Sequence, residues 1–133
     1  LAVTGLSPEA LRAHGTPPPE ALEAFAGWVD QVTPPGCRPV FVAFNAPFDW
    51  SFVNHYFHRY LGRNPFGHSA LDIKALYMGA KGVPWSQTGM RHVSARYLDD
   101  RPLTHHALQD ALDQADIFVE IGIELGLLEE GYG

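Results

Sequence analysis

Between two breakers, Gly36 and Pro47, lies Pro39-Val40-Phe41-Val42-Ala43-Phe44, an apolar run with almost no polar interruption. Its length and β-branched content predict a strand buried on both faces, as happens where helices cover a sheet. Asn45-Ala46-Pro47 ends that strand. From about Phe48-Asp49 the pattern changes to Phe52, Val53, Tyr56, Phe57 and Tyr60, which predicts a helix that Gly62 terminates. A buried strand followed at once by a helix argues for α/β layering.

The flanking segments agree. Ser7-Pro8-Glu9 supplies a capping hydroxyl, a proline at the first helical position and an early acid, so a short helix is expected there. Gly15 and Pro17-Pro18-Pro19 should stop it. Leu22, Phe25, Ala26 and Val29 make one apolar stripe on a helix from about Glu20 to Gln31, closed by Pro34-Pro35-Gly36. Leu71-Asp72-Ile73 reads as a second short strand leading into a helix around 74–78. Residues 80–100 are ambiguous, with a helix expected over about 88–97. Ala107, Ala111, Ala115, Phe118 and Leu125 predict a long helix from about Thr104 to Leu128. No repeat or Gly/Ser linker divides the 133 residues, so one domain over 1–133 is expected.

Composition narrows the function classes. With 46% hydrophobic and 18% charged residues, the chain can bury a core and is not a disordered tail. It has no apolar run of 18 residues, so a spanning helix and a membrane partner are not expected. The single cysteine, Cys37, excludes an internal disulfide and a Cys-rich zinc module. With no signal peptide visible after Leu1, a reducing, cytoplasmic setting is expected. Charge is segregated. Residues 1–58 hold two Arg against five acids, residues 59–101 hold seven basic residues against three acids, and residues 102–133 hold seven acids and no Lys or Arg. A long polyanion spread over the whole surface is disfavoured, whereas a short contact beside the basic middle third is not.

Two clusters could carry chemistry. The first is Asn45-Ala46-Pro47-Phe48-Asp49, at the carboxyl end of the strand, where ligand sites in α/β sheets gather. Asp49 would stand in the first helical turn, either as a helix-end charge or offering an oxygen to a metal. The second is Thr104-His105-His106-Ala107-Leu108-Gln109-Asp110-Ala111. Five residues separate His105 from Asp110, about 140° around a regular helix, so they converge only if His105 lies in a loop or irregular first turn. Ala107 and Ala111 beside Asp110 would let that helix press close to the sheet. Histidine is a natural base for activating water, and carboxylate a natural ligand for Mg²⁺ or Mn²⁺. Each cluster alone reads more simply as ordinary helix-end polarity. His55, His58, His68 and His92 read as surface or structural residues, and the acids after residue 110 as a solvated helix face.

Taken together, VFVAFNAPFDWSFV and LTHHALQDALDQADIF resemble the second and third motifs of the DEDDh 3′–5′ exonuclease family, in the ribonuclease H-like superfamily. FGHSALDIKAL is similar to that family's connecting segment, and LAVTGLSPEAL to the stretch after its opening strands. The resemblance covers essentially the whole chain and is most specific in the final motif. It implies a ribonuclease H-like three-layer αβα fold and a hydrolase acting on single-stranded DNA or RNA 3′ ends. Two Mg²⁺ or Mn²⁺ ions about 3.5–4 Å apart would clamp the attacking and leaving oxygens. On that basis His105 is the expected base and Asp49 and Asp110 the expected metal ligands. Asn45 would brace the turn or contact substrate, while Phe48 would be core rather than a base-stacking platform. Family members often dimerise, so a homodimer is also implied.

One departure matters. The family opens on a strand carrying Asp-x-Glu, the two remaining metal ligands, and no Asp here is followed two residues later by Glu. The expectation is an N-terminally truncated fold, lacking the opening antiparallel strands and inactive or nearly so alone, since two acids cannot hold two divalent ions tightly. The alternative is a noncatalytic nucleic-acid or protein binding module that keeps the fold. A third possibility is an α/β domain in which His105 and Asp110 are ordinary cap residues.

Overall fold

The computed structural model describes residues 7–98 and 106–129. The chain divides into two compact units, Leu1–Leu71 and Asp72–Gly133.

In the first unit, α1 spans Pro8–His14, and the Ser7 hydroxyl accepts from the Ala10 N–H at 3.0 Å. Helix α2 spans Pro18–Val32. The proline run that should only stop α1 therefore also starts α2, because a first-turn residue has no helical acceptor for its N–H and loses nothing as proline. The expected stripe forms: Ala26 and Val29 are buried, with Leu22 and Phe25 half-buried. Strand β1 is short, Phe41–Ala43, and helix α3 follows over Ala46–Leu61. Gly62 closes α3 in the left-handed region at φ 66°, donating its N–H to the His58 carbonyl. Strand β2, Ala70–Asp72, runs parallel to β1, and together they form a two-stranded sheet.

The expectation of a strand buried on both faces is corrected. Phe41 and Val42 are only half-buried and Val40 is 60% exposed. Among the described residues β1 pairs with β2 alone. The core of this unit is aromatic. Phe57 is fully buried, and its ring stands 5.4 Å from Phe25 on α2 and 6.3 Å from Phe66. Phe66 in turn meets Phe41 edge-on at 5.4 Å. Offset and edge contacts of this kind add to what area burial alone supplies.

The second unit opens at Asp72, whose carboxylate accepts from the Lys74 and Ala75 N–H groups and so caps helix α4, Ile73–Lys81. A 3₁₀ turn at Trp85–Gln87 precedes α5, Met90–Tyr97, and α6 covers Ala107–Glu124. Buried side chains come from all three helices: Ile73 and Tyr77, Val93, and Ile117 and Ile121. The structure thus mixes helix and strand, as expected of an α/β chain.

The face of α6 differs from expectation. Ala107, Ala111 and Ala115 are exposed, and the buried row is Asp113, Ile117 and Ile121. Alanine gains little by burial, so the isoleucines set which side turns inward. The neighbouring Leu108 and Leu112 stay 65% and 50% exposed. Residues 99–105 lie outside the described residues, so the expected start of this helix at Thr104 does too.

Candidate functional site

The turn from β1 into α3 is built by one unusual residue. Asn45 stands at the N-cap of α3 with φ 62° and ψ 45°, and is the non-glycine residue at positive φ among those described. Asparagine tolerates this left-handed conformation better than other side chains with a Cβ. Its side chain makes no capping hydrogen bond, and its carbonyl accepts from the Phe48 N–H at 3.0 Å. Asn45 therefore makes the turn from strand to helix through its backbone.

Asp49 lies in that first turn and is exposed. Asn45, not Asp49, holds the cap position, so the carboxylate is left to face solvent beside the partially positive helix end. The Ser51 hydroxyl donates to the Phe48 carbonyl at 2.7 Å, tightening the same turn. Phe48 is 62% exposed, which corrects the expectation that it is core. Its ring packs instead edge-on against the exposed Phe52 one turn along α3, at 5.3 Å.

Asp110 belongs to the second unit. It is half-buried in the first turn of α6, and its N–H donates to the His106 carbonyl at 2.9 Å. His106 is the exposed N-cap residue of that helix. His105 falls outside the described residues. Asn45 and Asp49 thus share one turn of the first unit, and Asp110 sits at the start of a helix in the second. Among the described residues no group of three or more His, Cys, Asp or Glu side chains gathers as a metal site would need.

Two acids that sequence reasoning assigned to a solvated face are engaged instead. Asp113 is 3% exposed and accepts from Gln109 Nε2 at 2.9 Å, one turn back along α6. The Glu124 carboxylate accepts from both Lys81 Nζ and the Tyr97 hydroxyl, the latter at 2.8 Å, which ties α6 to α4 and α5. The Lys81 contact holds Glu124 below the usual carboxylate range, and the same contact raises Lys81. Burial, then the bond to Glu124, pushes the Tyr97 hydroxyl up. The i, i+4 spacing of Gln109 and Asp113 was the visible hint for the first pair. Nothing local announces the second, whose members lie 27 and 43 residues apart.

Of the basic residues that could meet phosphates, Lys81 is therefore occupied, and Lys74 lies 4.2 Å from the centre of the Trp85 ring. Arg91 and Arg96 are exposed, as are all of His55, His58, His68 and His92. No helix among the described residues is long and apolar enough to cross a membrane.

No protein-family model matches the chain. A curated relative does: the protein named 3′-5′ DNA exonuclease Cap18, from Escherichia coli, is 44% identical over 118 residues. The two chains are homologous. The aligned stretch takes in 89% of this chain and 63% of the relative, so the chain spans less than two thirds of the relative's length. The similarity is thus to an exonuclease, along most of the present sequence.

Proposed function

We propose that this chain is the body of a 3′–5′ exonuclease acting on single-stranded DNA 3′ ends, of the DEDDh type and with a ribonuclease H-like fold. The observation that carries the proposal is the 44% identity to a protein named as a 3′-5′ DNA exonuclease, over 118 residues. The exposed Asp49 at the carboxyl end of a sheet strand supports it, since that is where α/β proteins bind ligands. In this reading His105 activates water, Asp49 and Asp110 hold metal, and Asn45 sets the turn that presents Asp49. The work is done in the cytoplasm, and a homodimer is the proposed assembly.

The donor set fits Mg²⁺ or Mn²⁺ in kind but not in number. Carboxylate oxygens are the hard ligands these ions prefer, yet two acids fall short of what a two-ion site needs. The two missing carboxylates are assigned to a segment matching the part of the relative that this chain does not cover. The chain alone is therefore proposed to be inactive.

The test is shortening of 5′-labelled single-stranded DNA, in Mg²⁺ and in EDTA. It compares the 133-residue chain with a longer polypeptide that adds the uncovered segment. Shortening from the 3′ end by the longer polypeptide, in Mg²⁺ only, is expected. Mg²⁺-dependent shortening by the short chain would overturn its assignment as an incomplete site. No shortening by either would overturn the exonuclease assignment itself.

A further inference from the structure

Strands β1 and β2 run parallel, so the segments that enter them, 38–40 and 64–69, meet at the amino ends of the sheet. Asn45 and Asp49 follow the other end of β1. A cavity of about 450 Å³ opens between the two entering segments, wholly within the first unit. That volume lies in the range of small-molecule sites and exceeds what an inorganic ion fills.

One wall is braced from behind. Asn64 donates through Nδ2 to Asn54 Oδ1 on α3 at 2.9 Å, and its Oδ1 accepts from the Phe66 N–H at 3.0 Å. The Asn64 carbonyl accepts the Gly67 N–H at 3.1 Å, closing a turn in which Gly67 adopts φ 78°. The Phe66 ring is held among Phe25, Phe41 and Phe57. The cavity therefore exists before any ligand arrives, and binding does not have to order a loop.

Pro39, Val40 and Pro65 give the cavity apolar walls, while Arg38, His68 and Ser69 bring donors to it. Arg38 supplies its charge. No acid lines the cavity, and among the described residues Arg38 enters no ion pair, whereas the nearby Arg63 is joined to Asp30. A guanidinium fork, an imidazole N–H and a hydroxyl make three donor groups. They match the three terminal oxygens of a phosphate monoester better than the two of a carboxylate or phosphodiester. The remaining lining suits a planar base against proline rings and offers few partners for the hydroxyls of a sugar phosphate.

We propose that this cavity binds a nucleoside monophosphate, with Arg38, His68 and Ser69 holding the phosphate and Pro39, Val40 and Pro65 covering the base. The site stands at the opposite end of the strands from Asp49. It goes beyond the exonuclease reading and does not depend on it.

The experiment is isothermal titration calorimetry of the 133-residue chain in EDTA, with thymidine 5′-monophosphate, thymidine and inorganic phosphate as separate titrants. Thymidine 5′-monophosphate is expected to bind at least about tenfold more tightly than either fragment. Arg38→Ala weakens it about tenfold or more and Ser69→Ala about threefold, the factors that a charged and a neutral hydrogen bond account for. Arg12→Ala, on the exposed α1, leaves the affinity unchanged. In ¹⁵N spectra the amide shifts concentrate on residues 38–40 and 64–69. Circular dichroism melting of each variant confirms that these exposed positions leave folding intact. Thymidine or phosphate binding as tightly as the nucleotide would overturn the assignment, as would an Arg38→Ala chain with wild-type affinity. An equal loss in Arg12→Ala would reduce the effect to general charge attraction and overturn it, and shifts centred on residues 45–49 would move the ligand to the other end of the sheet with the same result. Because neither metal nor DNA is present, a failed titration leaves the DNA-shortening assay untouched, and a failed shortening assay leaves the cavity assignment standing.

Discussion

Gln109 Nε2 donates to Asp113 Oδ1 at 2.9 Å across one turn of α6, and the acid that accepts is almost wholly buried. A buried carboxylate is kept only where hydrogen bonds compensate its lost hydration. Asp113→Ala is therefore expected to cost about 1–3 kcal/mol, by leaving the groups around it unsatisfied. Asp113→Asn, which keeps an accepting oxygen, should cost less. Urea unfolding of both variants measures the difference; equal losses would mean that an amide oxygen at this position does not replace the carboxylate as acceptor.

The ring contact between Phe25 and Phe57 joins α2 to α3 at a fully buried position. Phe57→Ala should destabilise the chain by about 3–5 kcal/mol, since it removes a large side chain from a packed site. Phe52→Ala, at a half-exposed position five residues earlier on the same helix, should cost under about 1 kcal/mol. Chemical denaturation reads both, and comparable losses would contradict the assignment of one face to the core and the other to solvent.

The link from Glu124 to Lys81 and Tyr97 makes stability depend on pH at both extremes. Glu124 is lowered from its ordinary value of 4.5, chiefly by the Lys81 contact, so its contribution is complete above that value. It fades as pH falls through the lower folded value, where the native carboxylate finally takes up a proton. Lys81 is raised above its ordinary 10.5, so its contribution is complete below that value and fades as pH rises through the higher folded value. Glu124→Gln should cost about 1 kcal/mol between pH 6 and 9, and the difference from wild type should shrink below pH 4. Thermal melts across that range provide the check.

Asn45 is expected to act through its backbone. Asn45→Gly should leave stability within about 0.5 kcal/mol, because glycine adopts positive φ freely. Asn45→Val should cost about 1–2 kcal/mol or shift the start of α3, because a β-branched residue resists that conformation. If Asn45→Gly in the longer polypeptide also keeps DNA shortening at the wild-type rate, the side chain has no substrate contact to lose.

Much of the helical layout was legible because it rests on local chemistry. Ser7, Gly62 and the Leu22–Val29 stripe act within a turn or two of themselves, and the chain obeys them. The prolines at 17–19 predict a stop to α1 but also start α2, since proline favours a helix start for the same reason that it prevents continuation. Burial was harder, since it depends on what lies opposite. The run at 39–44 is apolar enough for a covered strand, but the described sheet supplies one neighbour. On α6 alanines and isoleucines share a helical period, and only packing decides which row turns inward. The candidate site divides in the same way. Asp49 and its turn followed from strand, breaker and helix in succession. The engagement of Glu124 with Lys81 and Tyr97 joins distant positions and left no local trace.

The proposed chemistry makes one further demand, which separates catalysis from helix capping. Asp49 is exposed and does not occupy the cap, so Asp49→Asn removes only a charge near a helix end and should alter stability by under about 1 kcal/mol. If the same carboxylate holds metal, Asp49→Asn in the longer polypeptide should reduce Mg²⁺-dependent shortening of DNA by at least a hundredfold. His105→Ala should lower turnover by about 10²–10⁴ while leaving the affinity for oligothymidylate within twofold, as expected when a general base is lost but the binding surface remains. Single-turnover rates and anisotropy titrations on the same preparations separate the two effects. A variant that loses stability and activity in proportion would point to an ordinary helix-end role for these residues, and the assignment of Asp49 and His105 to catalysis would then fall.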